Sequence, residues 1–431
     1  MTIAGIAGTA GGASGGASGG ASGGASGGAS GGASGGASGG ASGTSGLDVG
    51  APVYGGVTAY GLPLSFGIVS AHDAIAGIWG ETVDETAFRD AEGPQDLADH
   101  APWVRSFLAL NELQSRLFFE GHPTGKTAGA ASGKTARKKK ESDAKGASSG
   151  AIPPGTSTLY AVTGEADGFA TQKLVEITRP TAEVFERQLA HVRAYADLRL
   201  DRFEEIHTQL GFPTPYFGTI VSLHPERDRY ALELVSIAQT LAAAISMRFK
   251  RTLFCPRPDM LSPAVQPMIP TPGHPSFPAA HAVEAFVVAG LLAKLLERDD
   301  GGNAEIEATN QRRTIMLMRQ AARIADNRVV AGVHYPADSI AGAALGLTIA
   351  EVMIAAAGGG DAVHAFTLDG TGIGTAELTV GQIVDPATGA RKDDTLFGGA
   401  MNVTSPANLG IAPSEVLTWL WTEARAARHV S

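Results

Sequence analysis

Apolar positions recur at helical spacing through most of the second half of the chain. In "TAEVFERQLAHVRAYADLRLDRFEEIHTQLG", Val184, Phe185, Leu189, Val192, Leu198 and Leu200 stand among dense charges, with Gly211 placed to cap the C-terminus. "ERDRYALELVSIAQTLAAAISMRFKR" continues the pattern and must stop before Cys255-Pro256. "AHAVEAFVVAGLLAKLLER" and "EIEATNQRRTIMLMRQAARIADNR" predict two further helices, and another follows Tyr335. Residues 170–299 therefore read as helical almost throughout. Upstream, "APWVRSFLALNELQSRLFFEG" reads as one amphipathic helix, and "SAHDAIAGIW" as a shorter one. The tail is strand-like in "AELTVGQIV" and hairpin-like in "DPATGARKDDTLF", and it closes on a helix, "SEVLTWLWTEARAARH". These elements predict a mostly α fold, a helical bundle around residues 226–357, with a small irregular or β-containing C-terminal region.

Two stretches lack any such pattern. Residues 11–42 are eight consecutive copies of "GGAS". With no large side chain they cannot offset the entropy of ordering, so residues 1–46 are expected to form a flexible tether. A Gly/Ala/Lys-rich insert at 124–155 is expected to be disordered, and its basic cluster Arg137–Lys140 to be a solvated loop. "GKT" occurs twice in this insert, but without the preceding glycine and strand of a phosphate loop. The organisation is then a tether at 1–46 and a single α-helical catalytic domain at 47–431, with a motif core at 250–338.

Composition narrows the class. The formal net charge of −10 argues against a nucleic-acid partner. The single cysteine, Cys255, excludes an intrachain disulfide framework and Cys-rich zinc sites. The two most apolar runs, "SIAGAALGLTIAEVMIAAA" and "AVEAFVVAGLLAKLLE", carry Glu351 and Glu284 with Lys294 respectively. Both read as buried helices, not membrane spans, and the N-terminus lacks the charge and apolar run of a secretory signal. The expectation is a soluble, cytoplasmic protein with no membrane span; a homo-oligomer is compatible with it.

Three segments in the helical core share one chemistry. "KRTLFCPRP" supplies Lys250 and Arg257, "HPSFPAAHAVEAF" places His281 where a helix begins, and "NRVVAGVHYPADSIAG" supplies Arg328, His334 and Asp338. Each alone would suit a solvated helix end or a local cap. Together, two guanidiniums and an ammonium make a pocket for an oxyanion, because Arg offers forked donors and Lys a compact charge. A helix start at His281 adds N–H groups. Asp338, four residues after His334, can reach back and fix the imidazole tautomer, leaving the other ring nitrogen free to attack or ligate. His274, in the same loop, is a candidate pocket residue.

In this order, Lys-x6-Arg-Pro, Pro-x-x-His and Arg-x5-His-x3-Asp resemble the signature of the type-2 phosphatidic acid phosphatase superfamily. That superfamily also holds bacterial class A acid phosphatases and vanadium-dependent haloperoxidases. The resemblance implies an α bundle of that type. It implies that Lys250, Arg257 and Arg328 hold the oxyanion, that His334 is the phosphate-accepting nucleophile, that His281 is the general acid, and that Asp338 is the partner of His334. Where the family usually has Pro-Ser-Gly-His, this chain has Pro278-Ala279-Ala280-His281. Ala279 removes a hydroxyl donor, and Ala280 loses tolerance for positive φ.

The leading expectation is a soluble phosphatase-like hydrolase that cleaves a small phosphorylated substrate without a cofactor. A second is a vanadate-dependent haloperoxidase acting on a halogenatable substrate, with His334 as the metal ligand. A third, resting on Ala279, is an oxyanion-binding protein without catalysis.

Overall fold

The computed structural model describes residues 94–122, 155–165 and 168–429, and within the repeat only the pairs Gly19–Gly20, Gly23–Gly24, Gly31–Gly32 and Gly36–Ala37. The expectations of a flexible tether, of a disordered insert and of a helix in "SAHDAIAGIW" therefore concern residues outside the described ones.

The helical elements are α1 (Pro102–Ser115), α2 (Ala182–Ala194), α3 (Arg199–Thr208), α4 (Thr214–Val221), α5 (Arg229–Leu253), α6 (Ala280–Leu295), α7 (Ala304–Val330), α8 (Pro336–Ala356) and α9 (Glu415–Ala426). Among the described residues the chain is mostly helical, as expected. Local chemistry sets several ends. The Asn303 side chain accepts from the N–H groups of Glu305 and Ile306 at the start of α7, and Ser414 accepts from Leu417 N at the start of α9. Helix α5 stops at Phe254, whose φ of 45° turns the chain into the proline-rich loop.

Helices α6 and α8 form the centre of the core. Both are buried nearly all round, which is why their sequences show no polar stripe. They approach closely because α8 carries glycines. A Cβ at Gly342 would lie 2.7 Å from both Ala279 O and Ala282 Cβ, and one at Gly346 would lie 2.5 Å from Val283 O. The contact is sealed where Ala279 N donates to Asp338 O at 2.9 Å. Two of the motif segments are thus held together by backbone.

The strands correct the sequence reading. Leu117–His122 (β1), Thr156–Glu165 (β2), Gly168–Thr178 (β3), Phe366–Asp369 (β4), Thr395–Leu396 (β5) and Met401–Val403 (β6) form one sheet in the order β5-β6-β4-β3-β2-β1. The β3–β4 pair is parallel, with Val175 opposite Phe366 and Ile177 opposite Leu368; the other pairs are antiparallel. The helical reading of residues 170–178 is therefore wrong. Leu174, Val175 and Ile177 are buried, and pairing on both edges outweighs local propensity. The run "APWVRSFLALNELQSRLFFEG" is helical only to Ser115 before entering β1. The long segment from Ala182 breaks at a 3-10 turn, Tyr195–Leu198, and α3 is capped at Gln209, not Gly211. In the tail, "AELTVGQIV" holds a single helical turn, Val380–Ile383, instead of a strand, while a bridge between Val384 and Arg391 partly realises the hairpin. The β structure is thus not confined to the C-terminal region.

A further correction concerns the membrane. Two helical segments, Arg229–Leu261 and Pro336–Ala356, are long and apolar enough to cross a membrane by length and composition. At 1.5 Å per residue, α8 reaches about 30 Å, the thickness of a hydrocarbon core. Glu351 does not disqualify it, because its carboxylate is paired with Arg391 at 2.9 Å and with His364 at 2.8 Å. The expectations of no membrane span and of a cytoplasmic location are overturned on this ground.

Candidate active site

The site is built at the ends of four helices. Lys250 lies in the last turn of α5, buried, and its Nζ donates to the carbonyls of Pro275 and Ser276 at 2.9 and 2.7 Å. It clamps the loop that follows. Arg257, also buried, donates through Nε to His274 O (3.1 Å), through Nη1 to Val333 O (2.6 Å) and through Nη2 to His274 Nδ1 (3.1 Å). Its Nη1 also lies 3.0 Å from His334 Nε2.

His334 occupies the turn between α7 and α8. Gly332, at φ +81°, lets the chain reverse there without a Cβ penalty. The ring's Nδ1 is 2.7 Å from Asp338 Oδ2, and the same oxygen accepts from Tyr335 N (3.1 Å) and from the Ser276 hydroxyl. An acceptor at Nδ1 and a donor at Nε2 define one tautomer, with the proton on Nδ1 and a lone pair on Nε2 directed at the guanidinium. Burial, then the charges of Arg257, Lys250, His274 and His281, holds this imidazole well below its ordinary range, so it is neutral at pH 7.

A second cluster gathers around Arg328 in the last turn of α7. Its Nη2 donates to Ile206 O (3.1 Å) and to Gln209 Oε1 (3.2 Å). His281, in the first turn of α6, is half-buried, with Nε2 3.0 Å from Gln209 O. Burial first, then Arg328, pushes His281 down to about 3. Burial, Lys250 and Arg257 do the same to His274. The two clusters share one field, since His281 acts on His334 and Lys250 acts on both.

The structure thus joins Arg257, His274, His334 and Asp338 by direct hydrogen bonds and sets Lys250 beneath them. Arg328 and His281 meet only through Gln209 and electrostatically. Ala279 and Ala280 stand at the start of α6 with buried methyl groups, and Ala279 offers backbone groups alone: its N–H donates to Asp338 O and its O accepts from Ala282 N and Val283 N. Two residues escaped the sequence reading. Ser276 lies inside the quoted "HPSFPAAH", where its closeness to His274 was the available signal. Gln209 lies 119 residues from Arg328 and no spacing points to it. Among the described residues no group of His, Cys, Asp and Glu could hold a metal ion.

Glu284, one turn beyond His281, is a buried carboxyl whose Oε2 has no hydrogen-bond partner among the described residues. Burial pushes it up to about 7 from 4.5, against the pull of Lys250 and Arg328. The folded state therefore prefers the neutral acid. Nothing is lost below the unfolded value, and stability falls as pH rises from there through about 7, by up to about 3 kcal/mol. Glu284→Gln should raise the thermal midpoint by several degrees at pH 8 and leave it unchanged near pH 4. A lower midpoint at pH 8 would show that the carboxylate is a needed counter-ion.

With this geometry in place, comparison with known proteins shows what the motif region is similar to. Residues 231–358, which enclose all three motif segments, match the PAP2 superfamily. In this segment the chain is similar to the type-2 phosphatidic acid phosphatase superfamily. It is 32% identical over 119 residues to decaprenylphosphoryl-5-phosphoribose phosphatase from two strains of Mycobacterium tuberculosis, a match covering 28% of this chain and 57% of that protein. The chain thus spans little more than half the length of these relatives. A solved structure, the transmembrane PAP2-type phosphatidylglycerolphosphate phosphatase from Bacillus subtilis, is 21% identical, with 39% of this chain and 84% of that one covered at a TM-score of 0.31.

Proposed function

We propose that the protein is a phosphoric ester hydrolase working through a phospho-histidine on His334. The observation that carries this reading is the buried Asp338–His334–Arg257 line, in which one ring nitrogen is held by a carboxylate and the other presents a lone pair to a cation. In the first step Nε2 forms a bond to phosphorus, the ester P–O bond breaks, and His281 delivers a proton to the leaving oxygen. In the second, water attacks phosphorus, its proton passes to His281, and the P–N bond breaks to release phosphate. Lys250, Arg257 and Arg328 hold the non-bridging oxygens, where charge builds in the transition state. His281 is neutral without substrate, and the negative charge of a bound phosphoryl group raises its proton affinity, so the acid is armed by the ester it serves.

The donor set would hold vanadate as it holds phosphate, with His334 as the ligand, because both are tetrahedral oxyanions. The two relatives described above are phosphatases, however, and no step is assigned to vanadate. A substrate with an apolar tail fits the surroundings: Phe254, Met260 and Leu261, beside Arg257 in sequence, are all exposed. Initial rates on p-nitrophenyl phosphate and on a lipid phosphate in mixed micelles test the reading. Hydrolysis of both, preference for the lipid, and competitive inhibition by vanadate are expected. Vanadate-dependent halide oxidation by peroxide, without ester hydrolysis, would overturn it.

A further inference from the structure

We propose that the side-chain amide of Gln209 is an oxyanion donor of this pocket, supplying from the end of α3 the hydrogen bond that Ala279 cannot make. The proposal rests on the phosphatase reading above and adds a residue to it.

Gln209 is fully buried. Its Oε1 accepts from Asn327 Nδ2 at 3.0 Å and from Arg328 Nη2 at 3.2 Å. An amide can be turned end for end without changing shape, so its orientation must come from its partners. Here both partners are donors, and the reversed amide would set N–H against N–H. Asn327 is fixed in turn, since its Oδ1 accepts from Arg202 Nη1 at 2.8 Å and its Nδ2 also donates to Glu205 Oε2 at 3.0 Å. Glu205 is itself held by Arg323, with Nε 2.8 Å from Oε2. A chain of four side chains thus dictates which end of Gln209 carries the N–H groups.

That end has no acceptor. Gln209 Nε2 and Arg328 Nε are both buried without a hydrogen-bond partner among the described residues. Buried donors without acceptors are unfavourable, and two on residues that touch each other call for a shared acceptor. The carbonyl of Gln209 meets His281 Nε2, so the residue stands between the proposed acid and one of the proposed oxyanion cations. A phosphoryl oxygen has lone pairs for both orphan donors. The Asn327 amide, by donating to Oε1, fixes which end of Gln209 carries the N–H groups.

Calorimetric titration of the intact protein with inorganic phosphate and with vanadate tests this, using Gln209→Ala, Gln209→Glu and the Gln209→Ala/Ala279→Ser pair. Gln209→Glu keeps an acceptor for Asn327 and Arg328 and loses the donor. Its thermal midpoint should stay near wild type while phosphate binding weakens tenfold or more. Gln209→Ala should weaken binding similarly, and adding Ala279→Ser should restore most of it, because a hydroxyl then replaces the lost donor. Should Gln209→Ala fail to fold, the same rescue is sought in Gln209→Glu. Wild-type affinity in Gln209→Ala overturns the proposal. So does weakened binding that the serine does not rescue, which would mean that Gln209 only holds Arg328 in place. If the wild-type protein binds neither anion, the pocket reading itself falls, and the proposal with it.

Discussion

Replacing His334 with alanine should abolish ester hydrolysis, lowering kcat by about 10⁴-fold or more, as expected when a covalent nucleophile is removed. The effect should be this large because, of the three site histidines, His334 is the one whose other ring nitrogen is held by a carboxylate, Asp338 Oδ2 at 2.7 Å; among the described residues His274 and His281 bond instead to Arg257 and to the backbone carbonyls of Pro275 and Gln209. Binding should survive the substitution far better than turnover, since Lys250 and Arg257 keep their carbonyl anchors at Pro275, Ser276, His274 and Val333. Two measurements decide it. Initial rates give the loss in kcat, and rapid quenching under alkaline conditions, where an N–P bond persists, should trap a phosphoenzyme in wild type and none in His334→Ala. Hydrolysis at an undiminished rate would move the nucleophile elsewhere.

Asp338→Asn should be nearly as damaging, with kcat falling by about three to four orders of magnitude, while His334 itself remains. Asp338 Oδ2 gathers His334 Nδ1, Tyr335 N and the Ser276 hydroxyl, and these donors require an acceptor. A single oxygen receives all three, so asparagine can keep them with its oxygen there, but its side chain is then neutral, with the NH2 group where Oδ1 has no partner among the described residues. What is lost is the negative charge that stabilises the positively charged ring formed when Nε2 bonds phosphorus. The fold should change little, because the backbone tie between Ala279 N and Asp338 O involves no side chain of Asp338. The check is a pair of readings: thermal midpoint close to wild type and phosphate affinity within a few-fold, with kcat collapsed. A small loss in kcat would show that the charge of Asp338 is not needed for attack.

The helices carrying the motifs were legible because their apolar content is high and their ends are marked. Proline follows Cys255, Asn303 opens α7, and Pro336 opens α8. The Lys250, Arg257, His281, Arg328, His334 and Asp338 set was legible because three short spacings occur in one order. The sheet was not. Strand β1 continues an amphipathic helical run without a break in pattern, and β3 finds its second partner, β4, far along the chain, where no local periodicity reports it. Gln209 was hidden for a related reason: its role depends on Asn327 and Arg328 from another helix. The membrane reading failed on Glu351, which looked like a disqualifying charge until Arg391, from the tail, was seen to pair with it.

The parallel pairing of β3 with β4 gives the helical bundle a clasp. Everything from α2 to α8 leaves the sheet after Thr178 and returns to it at Phe366, on the neighbouring strand. The helices that carry the six site residues are therefore a closed loop of chain whose two ends are stitched side by side. Such a loop limits how far α5, α6, α7 and α8 can drift apart in a loosened state, because the chain-closure entropy is already spent at the clasp. The strands do no chemistry, yet they make the pocket recoverable: helices that part locally remain on a short leash, and His334 finds Asp338 and Arg257 again without a search.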